Sequence, residues 1–425
     1  MLGALSLRPE ERRPFGWGFA SFFLLFLAWY TVRPIREAMG IQRGAGDLPW
    51  LMLGTLALTF LTNPLLARLA TRWPRAVLVR RIYRFLALNL VAFHLLLVFA
   101  EPDGDAGLWI GWSLYAWVSV FSLLISSVLW SLLSEVFRPE PARRLFGPLA
   151  AACSLGGLAG SSLTGLLARD LEQPLHLLLL AALALELAAR CSRRLAAFSR
   201  GDAATDGDGA APLEVEGATW SAGLRRVLGS PYLLGIGGYV VGYTLVGTWV
   251  YLLQGMIIDA LEADLGGDIQ RFAWIDAAVN AASLLLQLFA VSAVVKRIGV
   301  GWSLAILPLL CAAGFAVLVA FPTYAILAGF QVLRRTLNYG IVKPAREMLF
   351  APLSRTDTYL SKNLLDLFVY RAGDALASVS MLVLALPLAG LAAVAIPVSL
   401  AWTVLGPWLG GRYRRLEAAG EDPPS

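Results

Sequence analysis

FGWGFASFFLLFLAWYTVRPIREA, residues 15–38, carries no charged side chain before Arg33. At 1.5 Å per residue its uncharged part covers about 27 Å, close to the roughly 30 Å of a bilayer's hydrocarbon core. The stretch reads as a first membrane-spanning helix. The rest of the chain repeats the pattern. It has 425 residues, 58% of them hydrophobic and 15% charged, and its mean hydropathy is +0.68. A soluble domain carries about 25% charged residues, so a water-facing surface does not account for this composition. Further apolar stretches occupy residues 48–70, 77–100, 108–136, 143–168 and 174–197, then 229–258, 269–296, 300–320, 323–351, 360–386 and 388–411. The expectation is an all-α membrane protein of twelve transmembrane helices in two six-helix bundles, residues 1–198 and 228–425.

The net charge of +6 would point a soluble protein toward nucleic acid, but its placement argues otherwise. Most of the Lys and Arg fall in every second loop, beginning with Arg8, Arg12 and Arg13, while the alternate loops carry Glu101, Asp103, Asp105, Glu262, Asp264 and Asp268. Basic loops stay cytoplasmic. Both termini are expected inside, in a bacterial inner membrane, with no nucleic-acid partner. Glu10 and Glu11 interrupt the N-terminal arginines, and no cleavable signal peptide is expected.

Cys153, Cys191 and Cys311 fall within the spans without metal-ligand spacing, and His94 and His176 are isolated. No metal, cofactor or catalytic residue is expected from them. Residues 199–219, SRGDAATDGDGAAPLEVEGAT, read as a flexible linker. Trp220, Leu224 and Val227, with Arg225 and Arg226, then form a short amphipathic helix, completing a linker region of residues 199–227. Gly156 and Gly160 have the spacing that lets helix backbones approach.

Charge inside the spans narrows the reading. Arg33, Arg36, Arg334, Arg335, Lys343, Arg346 and Arg371 would each cost about 2.5–3.5 kcal/mol facing lipid at mid-membrane. They must face protein, water or ligand, or snorkel from span ends. Val32-Arg33-Pro34-Ile35-Arg36-Glu37 and Val342-Lys343-Pro344-Ala345-Arg346-Glu347 are nearly the same peptide. Each proline frees the carbonyl four residues earlier, so both helices are expected to break there, and broken membrane helices line ligand sites. Arg33–Glu37 and Lys343–Glu347 have pairing spacing, whereas Arg36 and Arg346 lack such a partner and could hold a phosphate or carboxylate. Arg334 and Arg335 lie about 17 Å into their span, near the midplane. Asp366–Tyr370 and Arg371–Asp374 have helical contact spacing and read as an ion-pair or gating network. Asp276 and Glu186 are expected to pair with arginines from elsewhere. Helices one and ten together carry six bases and two acids, which favours an anionic small-molecule ligand.

Three stretches resemble a known family: YTVRPIREAMG from Tyr30 to Gly40, VLWSLLSEVFRPEPARRLFGPLAAACSLGGLAG from Val128 to Gly160, and the segment Tyr339–Asp374 containing VKPAREMLFAPLSRTDTYLSKNLLDLFVYRAGD. With twelve spans in two halves, the chain resembles the major facilitator superfamily, and within it the ATP/ADP translocase type of nucleotide transporter. Arg36-Glu37 and Arg346-Glu347 match that family's basic-acidic pairs, with arginine where the family has lysine. The resemblance implies a monomeric alternating-access transporter, not an enzyme, exchanging a nucleotide or other phosphorylated metabolite. Substrate contacts would come from Arg33, Arg36, Glu37, Arg334, Arg335, Lys343, Arg346 and Glu347, and gating contacts from Asp366, Arg371 and Asp374. Two alternatives stand beside it. One is a proton-linked transporter of a dicarboxylate, lipid or drug, using Asp276 or Glu186. The other is a non-transporting membrane partner or sensor.

Overall fold

A computed structural model describes residues 8–100, 104–136, 139–171, 173–198, 220–289 and 291–421. The linker 199–219 lies outside the described residues. No β-strand occurs among those described, as expected where hydrocarbon offers no partner for backbone N–H and C=O groups and only helices or closed barrels satisfy them.

The helices are α1 Pro9–Ile41, α2 Leu48–Arg72, α3 Arg75–Phe99, α4 Asp105–Val136, α5 Pro139–Leu167, α6 Leu177–Ala196, α7 Trp220–Leu228, α8 Pro231–Asp259, α9 Leu265–Phe289, α10 Val291–Ala320, α11 Tyr324–Leu337, α12 Lys343–Met348, α13 Arg355–Asn363, α14 Tyr370–Leu384 and α15 Leu388–Glu421. A π turn, Asn338–Val342, joins α11 to α12, and another, Leu364–Val369, joins α13 to α14. With these two composite helices and without the short α7, twelve helical stretches of membrane-crossing length remain. By length and composition alone, nine helices among the described residues are apolar enough to cross a membrane. The α11–α12 stretch is not among the nine, because Arg334, Arg335, Lys343 and Arg346 lower its hydropathy.

Local chemistry sets several ends. Ser230, Thr323 and Ser354 cap α8, α11 and α13 by accepting from the N–H groups of Leu233, Ile326 and Asp357. Gly299 interrupts α10 with φ 75° and ψ 165°, a conformation that glycine adopts without Cβ strain. The expected turn after the eighth span is therefore a single-residue kink.

One expectation fails here. Pro34 does not break its helix, and α1 runs unbroken for 33 residues. The reason is packing: Phe22, Leu25, Ala28, Val32, Ile35 and Met39 are all fully buried, so the helix is held on several sides and tolerates one missing hydrogen bond. Pro344 behaves as expected, because the π turn immediately precedes it.

Two compact units divide the chain. The first gathers Met1–Asp47, Gly54–Gly209 and Leu261–Leu284, and the second gathers Leu48–Leu53, Ala210–Ala260 and Leu285–Ser425. In the first unit α1 packs on α4, α5 and α6. A Cβ at Gly156 would strike the carbonyl oxygen of Phe23, and one at Gly160 that of Leu27. The paired glycines thus let α5 lie directly on the α1 backbone. In the second unit α15 packs on α8 and α10. The Tyr239 hydroxyl donates to Leu304 O at 2.8 Å, and its ring meets Trp402 at 5.3 Å.

The short α7 is the amphipathic helix expected after the linker, with Val227 buried and Arg225 and Arg226 exposed. Arg226 Nη2 donates to Asp357 Oδ2 of α13 at 2.6 Å. That hydrogen bond, ahead of the opposing effect of burial, holds the Asp357 carboxyl below its ordinary value.

Two predictions follow from this packing. Gly160→Leu should destabilise the protein by about 3 kcal/mol or more, because overpacking here meets backbone that cannot move, while Gly147→Ala, with open space around it, should be neutral or slightly stabilising. Thermal unfolding in detergent measures both. The depressed Asp357 carboxyl contributes stability above the unfolded value of about 3.9 that disappears as pH falls through its lower folded value. The melting-temperature gap between wild type and Asp357→Asn should accordingly be small but present at pH 7 and closed near pH 3, small because the pair is solvent-exposed.

Candidate functional site

The charged residues singled out in the sequence form two clusters, one in each unit. In the first unit, Arg33 Nη1 donates to Asp276 Oδ1 of α9 at 3.1 Å, and Arg33 Nε lies 3.6 Å from Glu37 Oε1. Arg36 Nη1 approaches the same Glu37 oxygen at 3.6 Å, and its guanidinium stacks 4.3 Å from the Tyr115 ring centroid on α4. Glu37 and Asp276 are 4% and 3% exposed. Two arginines thus share two buried carboxylates, and the cluster is neutral. Asn280, one turn beyond Asp276, anchors to the Asp276 carbonyl and faces Gly157 of α5, where a Cβ would lie 2.6 Å from its Oδ1.

The second unit holds a larger set, carried by α8, α11–α12 and α13–α14. Gln331 Nε2 donates to Gln254 Oε1 at 2.5 Å, which leaves Gln331 Oε1 turned to Arg334, accepting from Nε at 3.2 Å and Nη2 at 3.0 Å. A side chain at residue 247 would lie 3.3 Å from Arg334 Nη1, so Gly247 leaves the guanidinium its room. Tyr243 is the hub: its hydroxyl accepts from Asn338 Nδ2 at 3.0 Å, its ring lies 6.0 Å from that of Tyr370, and the Arg346 guanidinium stands 5.9 Å from its centroid.

The carboxylates of this set are each engaged. Glu347 pairs with Lys362, Asp366 lies 3.8 Å from Arg346, and Asp374 lies 3.6 Å from Arg371 while accepting from Thr248 Oγ1 at 2.9 Å. These geometries revise three expectations. Lys343 does not pair with Glu347: Lys343 is exposed, and Lys362 on α13 takes the carboxylate. Asp366 does not meet Tyr370, because the π turn Leu364–Val369 lies between them and its wider i→i+5 spacing swings the i+4 position off the shared face. Arg36 and Arg346 are not uncompensated, since Glu37 and Asp366 stand beside them. The expected Arg371–Asp374 and Arg33–Glu37 pairs form, and Asp276 and Glu186 do find arginines far along the chain, Arg33 and Arg84.

Arg334 is different in kind. It is half-buried, its hydrogen bonds go to a neutral amide, and among the described residues no carboxylate lies within ion-pair distance. Arg335 beside it is buried, 7% exposed. The Nε–Nη2 edge of Arg334 is occupied by Gln331, while Nη1 and the outer hydrogen of Nη2 remain for a further acceptor. A reading confined to charges misses Tyr243, Gln254, Gln331 and Asn338. Their signal was polar amides and a tyrosine inside apolar spans, where such groups hydrogen-bond between helices.

The Arg33–Asp276 pair gives a stability test. Asp276→Leu alone should cost about 1–3 kcal/mol by leaving the half-buried Arg33 guanidinium without its closest acceptor. Adding Arg33→Met should return much of that loss. A double variant no more stable than the single one would mean that the two side chains are not coupled.

The fold is shared with solved membrane transporters. A peptide transporter in complex with sulfate superposes with a TM-score of 0.64 at 15% identity, over 97% of this chain and 97% of that one. A bacterial homologue of the iron transporter ferroportin, in an inward-facing state, gives 0.64 at 15% identity over 96% and 99%. The nucleoside transporter NupG gives 0.55 at 12% identity over 95% and 100%. No protein-family model and no curated protein matches the sequence. Likeness at identities this low shows the fold alone, an all-helical arrangement shared with these membrane transporters.

Proposed function

We propose that the chain is an alternating-access secondary transporter of an organic anion, and that a nucleotide or another phosphorylated metabolite is its cargo. Arg334 carries this reading. A guanidinium near mid-span, fixed by neutral Gln331 and without a carboxylate partner, is a standing positive charge for which an anion supplies the missing partner. Together α11, α12 and residues 360–386 carry Arg334, Arg335, Lys343, Arg346, Lys362 and Arg371 against Glu347, Asp366 and Asp374, an excess of positive charge that the neutral first-unit cluster lacks. Phosphate oxygens match the free edge of a guanidinium. Arg346, 3.8 Å from Asp366, is held loosely enough to exchange that carboxylate for substrate, and Arg33, Arg36 and Glu37 serve as the corresponding group in the other unit.

The ATP/ADP translocase resemblance, carried by Tyr30–Gly40 and Tyr339–Asp374, supports nucleotide exchange as the mode of action. The solved structures of the same fold serve peptide, nucleoside and iron transporters, so the fold does not select the cargo and the charge does. Residues 1–198 and 228–425 form the two halves in this reading. The basic loops place both termini on the cytoplasmic side of a bacterial inner membrane, and the chain works as a monomer.

Uptake of labelled nucleotides and other organic anions into proteoliposomes tests the proposal. A charge-assisted hydrogen bond contributes about 1.5–3 kcal/mol, so Arg334→Gln should lower uptake roughly ten- to hundredfold at each 1.4 kcal/mol per decade while the melting temperature stays near wild type. Undiminished anion uptake by a folded Arg334→Gln protein would remove Arg334 from the site. Uptake of neutral or cationic solutes only would remove the anion.

A further inference from the structure

The first unit contains a second basic feature, away from the clusters described above. A cavity of about 510 Å³ opens between α1, α3 and α6, lined by Trp17, Arg84, Leu187, Arg190, Cys191, Arg193 and Arg194. Glu186 binds two of the four guanidiniums: Arg84 doubly, through Nε at 3.0 Å and Nη2 at 3.1 Å, and Arg190 through Nε at 3.0 Å. Arg193 and Arg194 are exposed and, among the described residues, form no ion pair. Four positive charges therefore face one negative charge in a single concavity.

The surroundings identify the class of occupant. Arg84 is in the third turn of α3, and Arg190, Arg193 and Arg194 are in the last turns of α6. The two helices pack against each other and run in opposite directions, with Arg84 bonded to Glu186 one turn before Arg190. Beside Arg84, Phe85 is 59% exposed; one turn past it on α3, Leu88 is 68% exposed; and on α6, about two turns before Arg190, Leu183 is 57% exposed. Arg190, Arg193 and Arg194 thus stand near the end of α6, Arg84 joins them across Glu186, exposed apolar side chains follow along both helices, and a tryptophan lines the cavity. This is the layering of a membrane interface, where tryptophan is enriched and basic pockets between helices hold lipid headgroups. Arginines at a helix C-terminus complement its dipole in any case. That role, however, requires neither a cavity shared with α3 nor an apolar track below it.

We propose that this cavity binds the phosphodiester headgroup of an anionic phospholipid, with the acyl chains lying along Leu88, Phe85 and Leu183. Arg193 and Arg194 contact the phosphate. Glu186 holds Arg84 and Arg190 in place and moderates the charge.

Thermal unfolding of the delipidated full-length protein in detergent tests this, with dioleoyl-phosphatidylglycerol, dioleoyl-phosphatidylcholine and sodium phosphate as separate additives. Phosphatidylglycerol should raise the melting temperature by several degrees, and the other two should leave it unchanged. Arg193→Gln/Arg194→Gln should lose at least half of that shift. Glu186→Gln, which adds net positive charge, should reach its half-maximal shift at lower phosphatidylglycerol than wild type, an effect that a purely structural ion pair does not produce. Equal stabilisation by phosphatidylcholine, a full shift with phosphate alone, an undiminished shift in the double variant, or a weaker response in Glu186→Gln would each overturn the proposal.

Discussion

A charge in the interior of a bilayer has no water to fall back on, and the arrangement of this protein follows from how its charges are answered within the protein. Among the described side chains, six carboxylates inside the spans are each matched to a base: Glu37 and Asp276 to Arg33, Glu186 to Arg84 and Arg190, Glu347 to Lys362, Asp366 to Arg346, and Asp374 to Arg371. Most of these pairs join different helices. Each therefore fixes a register between two elements as well as neutralising a charge, and breaking one strands its partner. Arg334 and Lys343, which form no ion pair among the described residues, mark places in the second unit where positive charge is not cancelled by a carboxylate.

Backbone geometry brings those pairs within reach. Direct contact of α5 with α1 at Gly156 and Gly160 draws α1 into the middle of its unit, and burial on that helix carries Glu37 with it. In the second unit the two π turns perform a related task. A π turn inserts about one extra residue into the helix and rotates everything beyond it by roughly a quarter turn. Arg334 and Arg335 precede the turn Asn338–Val342, and Arg346 and Glu347 follow it, so the two pairs face different neighbours: Gln331 and Gln254 on one side, Tyr243, Asp366 and Lys362 on the other.

The features read correctly from sequence were those that physical chemistry imposes locally. Span lengths, the amphipathic α7, the Gly156–Gly160 contact and the i,i+3 pair Arg371–Asp374 needed only helical periodicity and hydropathy. The features misread all depend on competition. Lys343 and Glu347 have ideal spacing, yet Lys362 on another helix takes the carboxylate. Asp366 and Tyr370 also have ideal spacing, but the helix between them is not an α-helix. Pro34 and Pro344 sit in almost the same peptide, and only the second is accompanied by a π turn, because the first lies in a helix buried along most of its length. The partnership of Arg33 with Asp276, 243 residues apart, has no local signature at all.

The contrast between the two clusters bears on what each can do. In the first, both arginines lean on buried carboxylates, so an anion arriving there must compete with Glu37 and Asp276. In the second, Arg334 is oriented by an amide relay, Gln254 to Gln331 to Arg334, which constrains the guanidinium without cancelling its charge. That distinction matters energetically. A guanidinium held by carboxylate must lose one strong contact to make another, whereas one held by neutral oxygen keeps its orienting bonds and adds the anion to its free edge. The ordering entropy of a long side chain is then already spent before the ligand arrives. Neutral polar residues, which composition and charge counts pass over, are thus what fixes the Arg334 guanidinium while leaving its charge uncancelled.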